Sequence, residues 1–203
     1  MILYHEPLCP GYFYHIYNRG NNREKVYFKP DNYRWFLDKF CEFMLDYLDI
    51  YAYCMLPNHF HFLVRAKTIP SLKGMESLKI SQQFRRFFIS YAQAINKQEK
   101  RVGSLFQKNY KRIRVNNEKY LIVLLYYIHV NPQTHRYSNN FRSWVHSSYN
   151  KHLSGQDSFL KSTEILEWFG SAKEYINNHS IFMDLIDLPG VINLNELEGD
   201  HYE

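Results

Sequence analysis

Residues 50–64 constrain the fold more than any other part of the chain. They read Ile-Tyr-Ala-Tyr-Cys-Met-Leu-Pro-Asn-His-Phe-His-Phe-Leu-Val and contain no acid or base except His59 and His61. Two apolar, aromatic and β-branched runs separated by Pro57-Asn58 predict two strands, at 50–56 and 60–66. Residues two apart on a strand point the same way, so His59 and His61 share one face, with Cα atoms roughly 6–7 Å apart. Phe60 and Phe62 then point into the core behind them.

The rest of the chain falls around this pair. Residues 12–17, Tyr-Phe-Tyr-His-Ile-Tyr, predict a strand that ends at the polar run 18–22. Asp31 can cap a helix running to about Leu48, because Phe36, Phe40, Phe43, Met44 and Tyr47 fall on one helical face. A second helix is predicted at about 75–99, with Phe84, Phe87, Phe88, Tyr91 and Ile95 as its stripe. Residues 104–115 predict a fourth strand, and Asn116 or Asn117 caps a third helix that ends near Pro132. The order β-α-β-β-α-β followed by a helix implies an α+β, ferredoxin-like (split βαβ) fold, one antiparallel sheet with its helices on one face and the first and third strands central. Residues 133–149 predict irregular chain, and 162–178 a helix. A soft boundary near residue 150 separates a unit at 1–150 from a helical extension at 151–203 with an acidic end.

Charge is uneven along this framework. The formal net charge is +5, yet residues 181–203 carry six acids and no Lys or Arg, so residues 1–180 carry +11. A basic body with 17 of the chain's 18 Tyr suggests a polyanionic partner. Cys9, Cys41 and Cys54 form neither a CxxC pattern nor a disulfide framework. The first residues lack a charged segment followed by an apolar stretch, and the longest strongly apolar run, 121–128, is too short to span a bilayer. These features imply a cytoplasmic chain with no membrane partner.

Two imidazoles converging from one strand are half of a metal site. On the third helix Tyr127 and Asn131 are four apart and so neighbours on one face. Two imidazole nitrogens, an amide oxygen and waters suit Mg²⁺ or Mn²⁺ better than Zn²⁺, which prefers a closed set of nitrogen and sulfur ligands. A phosphodiester oxygen could replace a water on such an ion. On spacing alone the histidines also fit a structural pair, Tyr127 core packing and Asn131 a helix-end cap. Tyr126 is read as packing. His129 is offset by two from Tyr127 and is read as structural or DNA-facing, and His15 either approaches the site or packs.

The motifs Leu56-Pro57-Asn58-His59-Phe60-His61 and Tyr127-Ile128-His129-Val130-Asn131-Pro132 resemble those of the single-tyrosine HUH transposases, in their REP-associated tyrosine transposase branch. Residues 14–22 (Tyr-His-Ile-Tyr-Asn-Arg-Gly-Asn-Asn) and 144–149 (Trp-Val-His-Ser-Ser-Tyr) match further motifs of that branch, so the resemblance covers about 12–150. It implies a nuclease and strand transferase acting on single-stranded DNA, often beside a hairpin. In that chemistry a tyrosine attacks a phosphodiester to give a 5′-phosphotyrosine and a free 3′-OH. By motif match Tyr127 is the nucleophile and His59 and His61 are metal ligands. Asn131 stands at the third-ligand position, where relatives outside the branch carry Gln. Both monomeric and homodimeric arrangements are compatible with the resemblance.

Lys108, Lys111, Arg112 and Arg114 lie in an acid-free stretch with Tyr110. Basic residues interleaved with aromatics suit a track for a single-stranded backbone with base stacking. Arg19 is a further candidate for DNA contact. Two rival functions share the fold. One is a non-catalytic single-stranded nucleic-acid-binding regulator. The other is a metal hydrolase that uses water on a small phosphoester and leaves Tyr127 structural.

Overall fold

The structure, a computed structural model, describes residues 6–186. Four antiparallel strands form one sheet in the order β2-β3-β1-β4. They are β1 (Phe13–Arg19), β2 (Leu48–Leu56), β3 (His59–Ala66) and β4 (Lys111–Arg114). The first and third strands lie side by side in the centre, in register from Phe13↔Arg65 to Arg19↔His59. This is the strand arrangement expected of the split βαβ order.

The sheet has a core on each face. The alternation of β1 and β3 sends Tyr14, Ile16, Phe60, Phe62 and Val64 to one side, where α1 (Pro30–Met44) and α2 (Glu76–Gln98) cover them. Phe40 stacks on Phe62 at 4.0 Å between ring centres, and Phe36 lies over Phe60 at 5.1 Å. The opposite alternation sends Leu63 with Tyr51, Ala52, Cys54 and Leu56 to a second core under α3 (Glu118–Thr134). A bulge between Ile50 and Ala52 inserts Tyr51 and lets both Tyr51 and Ala52 join this second core. The two helices of the split βαβ unit thus share one face, and α3 takes the other.

The helix α3 is apolar nearly all round because it is covered on two sides. Its outer surface meets α5 (Ser162–Phe169) and α6 (Ala172–Ile186), with Tyr126 against Phe169 and Phe182. These two helices follow the expected boundary near residue 150, yet Ile165, Tyr175 and Phe182 belong to the same core as α3. None of the described helices is long and apolar enough to cross a membrane. Five of the six acids of residues 181–203, all but Asp184, lie outside the described residues.

Four boundaries depart from expectation for local reasons. The first helix stops at Met44, because Leu48 is already paired in β2, and it starts with Pro30 at its first position rather than with an Asp31 cap. Asn32 closes that end, its Oδ1 accepting from the backbone N–H of Phe28 and Lys29. The fourth strand is only Lys111–Arg114, since Gly103 and Asn109 at positive φ turn the chain so that Phe106 enters the core of α2. The helix predicted at 162–178 is broken at Gly170, whose φ of 79° is left-handed. Finally, α3 runs through Pro132 to Thr134.

The edge strand β2 would otherwise present open backbone groups. The segment Trp144–Tyr149 covers one end of it: Met55 N–H donates to His146 O (2.9 Å), Ser148 N–H to Tyr53 O (3.0 Å) and Tyr53 N–H to Ser148 Oγ (2.9 Å). Trp144 Nε1–H donates to Met55 O at 3.0 Å. At the other end Lys161 N–H donates to Ile50 O at 3.0 Å. The last of the four sequence motifs is therefore an edge cover, and its short α4 (Tyr149–Ser154) leads on to the outer helices.

Candidate active site

The face of the sheet under α3 carries His59 and His61 from β3 and His15 and Tyr17 from β1, as strand alternation requires. The His59 and His61 rings are 5.2 Å apart and nearly perpendicular. Tyr127 descends from α3 with its ring edge-on to His61 at 5.5 Å. One turn later Asn131 lies close enough to His59 to favour its protonated form, though without a hydrogen bond of normal geometry. Tyr127 and Asn131 are fully buried, and His59 and His61 are 4% and 3% exposed. The three motif elements therefore meet within one chain.

Each histidine is oriented through its Nδ1. His59 Nδ1 pairs with Asn58 Oδ1 at 2.6 Å, which makes that nitrogen the donor and leaves the lone pair on Nε2. His61 Nδ1 pairs with His15 Nε2 at 2.9 Å. If His61 Nδ1 carries the proton, its Nε2 also presents a lone pair, the arrangement a metal-binding imidazole uses. Tyr17 stacks on His15 at 4.6 Å and on His61 at 5.7 Å, fixing both rings. His15 thus approaches the site and does not simply pack.

The donor set suits a cation. The Nε2 atoms of His59 and His61 and both amide atoms of Asn131 are buried and have no hydrogen-bond partner. Orphaned buried polar atoms cost free energy and call for a ligand. Burial holds the His59 pKa at about 3 and that of His61 well below its ordinary value, so both rings are neutral near pH 7 and able to ligate. Among the described residues no three His, Cys, Asp or Glu side chains group as a metal site.

The remaining candidates divide between the faces. Arg19 pairs with His59 in register, on the site face, and its charge helps to depress both histidines. Lys111 pairs with Tyr17, on the same face. Arg112 and Arg114 pair with Ile16 and Tyr14 and so belong to the face of α1 and α2. There Arg112 Nη1 donates to Tyr110 Oη (2.7 Å) and Ser81 Oγ (3.1 Å), and Arg114 lies over the Tyr12 ring at 3.3 Å. Lys108 is exposed in the loop before β4. The basic stretch is therefore not one continuous track.

His129 does not join the His59–His61 site, as its offset from Tyr127 requires. It pairs with His179 Nε2 (2.9 Å) and Ser148 Oγ (2.8 Å), tying α3 to α6 and to the cover of β2. A residue absent from the sequence expectations is His135, which follows Asn131 by one turn and lies 5.2 Å from the His59 ring, nearly perpendicular to it. Its spacing of eight from Tyr127 was the available signal.

The end of α3 is held in place next to this site. Arg136 N–H donates to Gln133 O (3.0 Å) and Tyr137 N–H to Pro132 O (2.8 Å), a Schellman ending. Tyr137 Oη then donates to Asn58 Oδ1 at 3.3 Å, the same oxygen that orients His59. Arg136 occupies the left-handed position, φ 59°, where glycine is favoured. Arg136→Gly should raise stability by about 0.5–1 kcal/mol in urea denaturation. A loss of stability would show that the arginine side chain has a compensating role.

Residues 10–131 match the family model described as "Transposase IS200 like". That span is more than half of the chain. The chain belongs to the IS200-like transposase family. It is also 25% identical over 107 residues to a Haemophilus influenzae protein provisionally named a REP-associated tyrosine transposase, a match covering 52% of this chain and 61% of that protein. The chain thus spans less than two thirds of that relative's length. Among solved structures, a REP-associated tyrosine transposase bound to a REP hairpin superposes with a TM-score of 0.57 at 17% identity, covering 78% of this chain and 90% of the other. At that identity the likeness establishes the fold, and the family match establishes the kinship.

Proposed function

We propose that this transposase-family chain cleaves and rejoins single-stranded DNA, next to a hairpin, through a covalent link to Tyr127. The observation that carries the reading is the convergence of Tyr127 with His59 and His61 in one buried site, with two imidazole nitrogens and an amide left without partners. In the reaction the Tyr127 phenolic oxygen attacks the phosphorus and the bond from phosphorus to the 3′-oxygen breaks. The phenolic proton is lost to an acceptor, and the 3′-oxygen gains a proton to become the free 3′-OH. The 5′-phosphotyrosine preserves the bond energy, so the reverse attack by a 3′-OH rejoins a strand without a nucleotide cofactor.

His59, His61 and Asn131 would hold Mg²⁺ or Mn²⁺. When bound, the ion supplies positive charge to the phosphate as negative charge builds in the transition state. The protein's own contribution is orientation. Asn58 and His15 fix the two rings, and α3 sets Tyr127 above them. Because Tyr127 has no exposed surface, a DNA strand reaches it only by displacing part of the α3 contact with the sheet. Arg19, Lys111 and Lys108 would contact the DNA backbone from the site face and the adjoining loop. Arg112 and Arg114 would do so only from the opposite face.

The test is incubation of the full chain with hairpin-bearing single-stranded oligonucleotides and Mn²⁺. A protein–DNA adduct that survives denaturation supports the reading. Chelation by EDTA, or His61→Ala, should lower adduct formation by at least about 100-fold, the scale on which a lost charge-stabilising group acts. Hairpin binding with no adduct in any metal would instead support the regulatory binder, and cleavage that releases only free products would support a hydrolase.

A further inference from the structure

We infer that His135 is a substrate-contacting residue that donates an imidazole N–H to a non-bridging oxygen of a phosphate held at the mouth of the site. The inference adds a residue to the proposed reaction but requires only that the site bind a phosphate group. Three observations carry it. First, Tyr127, Asn131 and His135 follow one another at intervals of four, so one stripe of α3, continued by its C-terminal cap residue His135, faces the site. His135 sits at the helix end, its N–H donating to Asn131 O at 3.0 Å, and its ring lies 5.2 Å from that of His59. It is half-buried, whereas Tyr127 and Asn131 are closed to solvent, which puts it at the rim of the site.

Second, this helix end is fixed. The Schellman bonds, the left-handed Arg136 and the Tyr137–Asn58 bond hold the last turn against the β2–β3 connection. A non-glycine residue in the left-handed region costs free energy and persists only where its surroundings enforce it, a pattern common at ligand sites. Helix ends usually fray, and this one is pinned where its terminal imidazole meets His59.

Third, the surroundings favour an anion. No Asp or Glu occurs at residues 7–23, 50–75 or 119–156, the stretches that supply β1, β2–β3 beyond Asp49, and α3 beyond Glu118. The nearest acid in sequence to β1 on its C-terminal side, Glu24, is bound to Arg101. Arg19 stands opposite His59 in register, so a phosphate at the mouth meets a guanidinium from β1 and an imidazole from α3. Paired donors of this kind suit the oxygens of a phosphodiester.

The experiment uses the full chain with Mg²⁺ and inorganic phosphate as the probe, followed by imidazole NMR and titration calorimetry. Phosphate should shift the His135 ring signals. His135→Ala should weaken phosphate binding about tenfold, as expected for loss of one charge-assisted hydrogen bond, while His135→Gln, which keeps an N–H donor, should recover most of the loss. Mn²⁺ affinity measured without phosphate should be unchanged in both variants. Unmoved His135 signals, or phosphate affinity equal to wild type in His135→Ala, would overturn the inference. So would a loss of Mn²⁺ affinity as large as that of His59→Ala, which would make His135 a metal ligand. A wild-type chain that binds phosphate through His135 yet forms no DNA adduct would refute the proposed reaction and leave this inference standing.

Discussion

Tyr127→Phe should abolish the denaturation-resistant DNA adduct and leave the folded protein intact. The phenolic oxygen is the only heavy atom removed, and the variant has no oxygen at that place to receive the phosphorus. Adduct formation should fall by at least about 1,000-fold, the scale of losing a covalent nucleophile. The ring remains edge-on to His61 and packed under α3, so the unfolding midpoint should change little and hairpin affinity should stay within a few-fold. Gel analysis of the wild type and the variant with one labelled oligonucleotide measures both. Undiminished adduct in Tyr127→Phe would remove Tyr127 from the chemistry. Tyr126→Phe is the natural control, since that neighbour faces Phe169 and Phe182 and should react normally.

Acid should unfold this protein at an unusually high pH. Burial depresses the pKa of His15, His59 and His179 to about 3 and of His152 to about 4, and it holds His61 and His129 well below the ordinary value. The unfolded chain binds protons at these rings from pH 6.5 downward, and the folded chain does not. Stability is therefore complete above about pH 6.5 and falls as pH drops toward the folded values. Between pH 7 and 5 each of the four rings held at about 3 or 4 costs on the order of 1–2 kcal/mol, together on the order of 5 kcal/mol, and His61 and His129 act in the same direction. A domain has only about 5–15 kcal/mol in hand. Urea denaturation followed by circular dichroism in EDTA should show the midpoint collapsing between pH 6.5 and 5. A midpoint at pH 5 equal to that at pH 7.5 would mean that these rings take up protons without unfolding. Mn²⁺ should protect against the loss in proportion to its hold on His59 and His61, because ligated rings resist protonation.

The sheet and the core were legible because their signals are local and repeated. The alternation in β3 put His59 and His61 opposite Phe60 and Phe62, and the structure keeps that division. The stripe of Phe36, Phe40, Phe84 and Phe87 placed α1 and α2 on the other face. The pairing of Tyr127 with Asn131 on one side of α3, and the exclusion of Tyr126 and His129 from it, followed from helical spacing alone. What the sequence concealed depends on long-range placement. Nothing local says that Lys111 and Arg112, adjacent in sequence, serve opposite faces, since the register of β4 against β1 decides it. The expected fourth strand failed at Asn109, whose left-handed backbone leaves no strong compositional trace. Pro132 hides His135, because a proline signals a helix stop, whereas this helix passes it and ends in a Schellman turn. The motif at Trp144–Tyr149 was visible as a pattern, but its work as the cover of β2 required the tertiary structure.

The most direct test of the account is to digest the wild-type adduct formed with Mn²⁺ and a hairpin oligonucleotide, and to locate the nucleotide-bearing peptide by mass spectrometry. The account predicts a single modified peptide with the nucleotide joined through phosphate to Tyr127. Attachment at any other residue, or cleaved DNA with no modified peptide, would contradict it.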